Sequence, residues 1–114
     1  MINIAASDMA RFDFYANPDA ERCLVIPFLL DVQCTLLETL DSRVVVPLRR
    51  LDQFAKVSLP RNLAPSFDVD GIPCFMETPK LAAVPSRLLK IKVASLAGQQ
   101  DQITGALDFL FQGF

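Results

Sequence analysis

DQITGALDFLFQGF, residues 101–114, reads as one amphipathic helix that runs almost to the last residue. Ile103, Ala106, Leu107, Leu110 and Phe111 recur at helical spacing and form a single apolar stripe. Asp108 and Gln112 stand four residues apart on a different face, where they can act together. Asp101 falls in the first turn, where the helix dipole favours a carboxylate, and Gly113 suits the left-handed conformation that ends a helix. That leaves Phe114, a large apolar residue, carrying the terminal carboxylate. Chain ends are usually polar and fray, so an end that stays apolar is expected to pack on something. Gly105, inside the helix, costs about 1 kcal/mol relative to alanine. It is either a tolerated weak point or a place where another backbone comes close.

Upstream of this helix the pattern changes to short strands. Residues 11–16 (RFDFYA) alternate, with Phe12 and Phe14 on one side, and predict a half-buried strand. Asn17-Pro18-Asp19 is a turn signal. Residues 22–34 (RCLVIPFLLDVQC) predict a long strand, with Pro27 at an edge or bulge because it has no N–H to donate. Leu36, Leu37 and Leu40 have helical spacing in a segment too short to decide. Residues 43–48 (RVVVPL) predict another strand, and residues 49–63 a loop with a helical turn. Asp70-Gly71 between two apolar runs predicts a hairpin. Residues 78–85 read as loop and residues 87–96 as a strand. Five of the eight prolines fall between Pro60 and Pro85, as in the loops and edges of small barrels. The expected order is therefore many antiparallel strands followed by one helix.

At 114 residues the chain predicts one domain, 1–114, with residues 1–9 as a loose leader. Its 52% apolar content argues for a packed core rather than disorder. The net charge of −2 disfavours non-specific nucleic-acid binding. The cations are nevertheless clustered: Arg43, Arg49, Arg50, Lys56 and Arg61 face one acid, Asp52, between residues 42 and 67. They predict a solvated face or a local basic surface. Cys23, Cys34 and Cys74 share no metal-ligand spacing and read as small core residues of a reduced, cytoplasmic protein. No signal peptide is visible, and the longest apolar run, residues 23–30, is far too short to span a membrane. The chain has no histidine. That removes Ser-His and Cys-His nucleophile pairs and the commonest general base. Carboxylate, lysine or arginine chemistry stays open, but the chain reads first as a non-enzyme, without metal or cofactor.

Taken in order, these segments resemble the CcdB family, the toxins of plasmid and chromosomal toxin–antitoxin pairs. Residues 11–15 resemble its opening strand. Leu30-Asp31-Val32-Gln33, then Leu36-Leu37, resemble its Asp-Val-Gln strand and following aliphatic pair. Residues 43–48, the hairpin at 67–76, Ala83-Val84-Pro85 and the terminal helix follow in family order. The resemblance implies an SH3-like antiparallel barrel with one C-terminal α-helix, the architecture shared by CcdB and MazF toxins. It implies a homodimer whose two tails lie side by side at the twofold axis. It implies poisoning of DNA gyrase through the A subunit, with the family's Trp-Gly-Ile ending falling on Gln112, Gly113 and Phe114, its preceding polar residue on Asp108, and its aliphatic pair on Leu36 and Leu37. It further implies a cognate CcdA-like antitoxin, and no direct nucleic-acid or membrane partner. Gln112 departs from the family tryptophan: an aromatic there would stack on an arginine of the target for about 0.5–2 kcal/mol, whereas glutamine only hydrogen-bonds. Two alternatives stay open. One is a MazF-like endoribonuclease whose basic stretches line an RNA groove. The other is a CcdB-like binding module that has lost toxicity.

Overall fold

The computed structural model describes residues 9–35, 40–54 and 59–113. In chain order they form β1 (Asp13–Ala16), β2 (Phe28–Asp31), β3 (Ser42–Arg50), α1 (Leu51–Phe54), β4 (Ser66–Val69), β5 (Ile72–Met76), β6 (Ala82–Pro85), β7 (Lys92–Ser95) and α2 (Gln100–Gln112). The strands pair antiparallel in the order β4-β5-β3-β2-β1-β7, with β6 also on β3. The sheet curls into a half-barrel and α2 covers its inner face, an α+β arrangement of the SH3-like kind.

The long strand β3 organises the sheet. On one side it pairs with β2, Leu30 opposite Val46 and Phe28 opposite Leu48. On the other side its first half pairs with β6 and its second half with β5. Pro47 sits where one partner gives way to the other, so its missing N–H leaves no ladder bond unmade, while its carbonyl accepts from the Glu77 N–H at 2.9 Å. The β4–β5 hairpin turns on Asp70 (φ 52°) and Gly71 (φ 82°), the pair of positive φ angles that suits a right-twisted two-residue hairpin.

Alternation along the strands gives the sheet two unlike faces. Inward point Phe14, Phe28, Leu30, Val46, Leu48, Phe67, Val69, Cys74 and Met76, all buried, and α2 lays Ile103 and Ala106 against them. The Phe14 and Phe28 rings meet edge to face, 5.2 Å between centroids. Outward point Tyr15 and Val45, which Met9 and Leu89 cover. An antiparallel sheet often leaves its second face to solvent; here the second face carries a smaller core.

Several boundaries differ from the sequence expectation. β1 begins at Asp13, not Arg11, because Phe12 adopts φ 76° and turns the chain into the sheet. The predicted strand over residues 22–34 shrinks to Phe28–Asp31. The turn signal runs on instead: Asn17 Oδ1 accepts from the Asp19 N–H, Asp19 Oδ1 from the Glu21 N–H, and the Ile26 N–H reaches back to the Arg22 carbonyl. Local side-chain caps here outweigh β propensity, and Pro27 precedes the strand. Arg49 and Arg50 extend β3 rather than starting a loop. Residues 78–85 are not wholly loop: a 3-10 turn, Thr78–Lys80, leads into β6, whose last residue is Pro85, a position an edge strand tolerates. Of residues 87–96 only Lys92–Ser95 is strand; Ser86–Leu88 makes a 3-10 turn that drops Leu89 onto the outer cluster. Met9, expected in the leader, is buried; residues 1–8 lie outside the described residues.

Candidate functional site

The C-terminal helix carries most of the expected site. Its start and its end behave differently. Ile103 and Ala106 are fully buried and Leu107 and Leu110 are half-buried, but Phe111, expected in the same apolar stripe, is 71% exposed. Burial is complete only at Ile103 and Ala106 and thins toward the end of the helix, where residues 111–113 are exposed. Gly113 closes it in the left-handed conformation (φ 82°), its N–H donating to the Phe109 carbonyl at 2.9 Å. Asp108, Gln112 and Gly113 are exposed at the same helix end as Phe111.

This turn is electrostatically unusual. Residues 100–112 contain two aspartates and no lysine or arginine. Asp101 lies in the first turn, where the dipole favours it, whereas Asp108 lies near the end where a carboxylate is disfavoured. The end of α2 thus offers a carboxylate, an amide and an aromatic face together, a set suited to a cationic, hydrogen-bonding surface on another molecule. Of the other expected site residues, Leu36, Leu37 and Phe114 lie outside the described residues.

The Asp-Val-Gln segment leading to Leu36 is built into the outer face. Asp31 and Arg43 are both fully buried and joined by two charge-assisted bonds, Nε to Oδ2 at 2.8 Å and Nη2 to Oδ1 at 3.0 Å. Gln33 completes the clamp: its backbone N–H donates to Asp31 Oδ1, its amide donates to the Ser42 carbonyl, and its side-chain oxygen accepts from the Val44 N–H. Burial pushes the Asp31 carboxyl above the usual carboxylate range, against the opposing pull of Arg43. Burial also raises the Tyr15 phenol, with the Asp13 charge adding to the effect.

These pairs count against a local basic surface, one of the two readings of residues 42–67, at three of its arginines. Arg43 is spent inside the fold. Arg49 lies 3.6 Å from Glu77, and Arg50 lies 3.1 Å from Asp52. The cysteines also divide: Cys74 is a core residue as expected, Cys23 is half-buried and Cys34 is exposed.

A feature the sequence did not signal is a groove of about 890 Å³ between the turn after Pro60 and α2. Arg61, Asn62 and Ser66 line one wall, and Gln102, Gly105 and Phe109 the other. Only the spacing of Gln102, Gly105 and Phe109 on one helix face was there to be read. Among the described residues no group of three or more potential ligands is placed to hold a metal ion, and no helix is long and apolar enough to cross a membrane.

No curated protein matches the chain. The family model for the CcdB protein does, over residues 11–113, which takes in the whole sheet and α2 to its cap. Matched over nearly its full length, with the half-barrel and terminal helix in place, the chain belongs to the CcdB family, and that membership supports the role of toxin in a toxin–antitoxin pair.

Proposed function

We propose that this toxin acts on the A subunit of DNA gyrase and does so by binding, with no bond chemistry of its own. Two copies associate with their α2 ends side by side, and Gln112, Gly113 and Phe114 of each form one wedge. The wedge enters a cavity that opens during strand passage and holds gyrase on cleaved DNA. Asp108 and Gln112 supply polar contacts, and Leu36, Leu37 and Phe114 supply buried area. Phe111 adds the aromatic surface that Gln112 lacks. A cognate CcdA-like antitoxin neutralises the toxin by folding a disordered segment onto it.

One observation carries this reading: the end of α2 holds Phe111, 71% exposed, together with exposed Asp108 and Gln112. A few central residues of such an interface usually hold most of its energy. The pairing of Arg43, Arg49 and Arg50 with carboxylates argues against an RNA groove and so against the endoribonuclease alternative. Gln112 favours a different rival, a module that still binds its antitoxin but no longer traps gyrase. A gyrase supercoiling and DNA-cleavage assay separates them. The intact chain should accumulate cleaved DNA and a chain lacking Gln112, Gly113 and Phe114 should not. Equal activity of the two chains would remove the wedge.

A further inference from the structure

The groove between the turn after Pro60 and α2 plays no part in that reading, and three of its features converge. The first is Gly105. It lies mid-helix and costs about 1 kcal/mol relative to alanine, yet a Cβ built there meets no atom within 4 Å. Nothing in the described chain needs the space. A bare helix surface above open space admits close approach of a backbone from outside.

The second feature is the strand edge beside it. β4 ends the sheet, and Ser66, its first residue, lines the groove. The Met76 N–H donates to the Pro65 carbonyl at 2.9 Å. With Phe67 opposite Cys74 and Val69 opposite Ile72, the alternation directs the backbone groups of Pro65, Phe67 and Val69 toward β5. The amide groups of Ser66 and Asp68 therefore turn to the free edge, where an added strand would pair. The third feature is Arg61, exposed on the groove wall with no carboxylate paired to it among the described residues. Asn62 and Gln102 bring two primary amides to the same space.

We propose that this groove receives an extended peptide segment of a partner protein, laid along β4 as an extra strand, with its backbone against Gly105 and an acidic side chain at the Arg61 end. Main-chain pairing supplies affinity, and the side-chain pockets on the two walls supply selection. Phe109 offers an apolar wall for one side chain of the segment. Asp68, exposed farther along β4, disfavours a second acid there and sets the direction in which the segment lies. Because Phe109 and Gly105 belong to α2, occupancy of the groove stiffens the helix that carries the tail.

A random decapeptide library displayed on phage and panned against the full-length protein tests this. Enriched peptides should share an acidic residue at one end of an extended, β-prone sequence. Synthesised, they should shift the amide resonances of Asn62, Ser66, Asp68 and Gly105 and slow exchange at Ser66 and Asp68. Gly105→Leu should weaken binding more than about tenfold and Arg61→Glu about fivefold, while Gly105→Ala keeps most of it. Arg61 is exposed, so its variant keeps the fold whatever Gly105→Leu does. Several results would overturn the proposal: no enriched peptide, peptides indifferent to Arg61→Glu, shifts confined to other surfaces, saturation of the groove by benzoate with no peptide binding, or protection of Ser66 and Asp68 by raised protein concentration alone, which would make the occupant a second copy. Chains shortened by three residues should bind the same peptides, so loss of gyrase trapping leaves this result standing.

Discussion

Arg43 and Phe111 exchange the places that their chemistry assigns them. The arginine is fully buried at the start of β3, and the phenylalanine is 71% exposed at the end of α2. A guanidinium is rarely buried unless paired, and Arg43 is paired twice over by Asp31 and held again by the Gln33 carbonyl at 3.3 Å. The fold itself accounts for it. Phe111 has no such account among the described residues: Leu110 beside it is half-buried, but its own ring stands exposed in the turn that Gly113 closes. A buried charge with partners is an internal commitment, whereas an exposed ring without them points outward. The two regions divide the molecule into a part that makes the scaffold and a part that the scaffold presents.

The largest effect is expected where the buried charge loses its partner. Arg43→Ala leaves the Asp31 carboxylate in the outer face and should cost about 3–5 kcal/mol, read as a fall in the urea midpoint. That is a large share of the roughly 5–15 kcal/mol available to a domain of this size. The double variant Asp31→Leu with Arg43→Met should recover most of the loss, because it removes both desolvated charges together. If Arg43→Ala alone costs under about 1 kcal/mol, the clamp does not hold the scaffold, and the contrast with Phe111 fails on that side.

Alkali probes the inner face. Burial pushes the Cys74 thiol up to about 11 from an ordinary 9.0. In the unfolded chain the thiol ionises from about pH 9, while in the fold it cannot, so unfolding releases a proton between the two values. Stability is therefore complete below pH 9 and should fall by about 2 kcal/mol as pH rises toward 11. Tyr15 shifts in the same direction and adds to the fall above its ordinary value of 10.0. Cys74→Val should remove the thiol's part and leave the tyrosine's. A smaller gain is expected from Gly105→Ala, about 1 kcal/mol of added stability, because the new methyl meets open space and improves helix propensity.

What the sequence made legible follows from where local and distant forces agree. The hairpin was readable because Asp70 and Gly71 alone satisfy its backbone angles. The C-terminal helix was readable because its buried stripe and its glycine cap are both written at local spacing. The long strand over residues 22–34 was not, because Asn17 and Asp19 cap a turn that consumes apolar residues a strand would otherwise take. β6 was hidden by Pro79 just before it and by Pro85, its last residue, which an edge strand accepts. The Asp-Val-Gln segment was readable as a family likeness but not as a clamp, since its bonds run to Ser42, Arg43 and Val44 across the sheet. At the site, Asp108 and Gln112 share the helix end as their spacing implied, whereas the exposure of Phe111 depends on how far the sheet extends beneath α2, which no helical pattern records.

The smallest effect on stability should come from Phe111, and there the contrast is sharpest. Phe111→Ser removes an exposed ring, so its folding free energy should change by no more than about 0.5 kcal/mol. On the proposed wedge, trapping of gyrase on cleaved DNA should nevertheless fall, on the order of tenfold, because an aromatic at its rim contributes about 1–2 kcal/mol when a partner covers it. Sedimentation velocity decides what covers it. If the variant keeps the dimer and loses trapping, the ring belongs to the surface that meets gyrase. If it falls apart into monomers, the ring closes the contact between the two tails, and its exposure in one chain is the imprint of the second copy. A variant that keeps both the dimer and full trapping would leave Phe111 without a role on either surface and withdraw the division drawn from it.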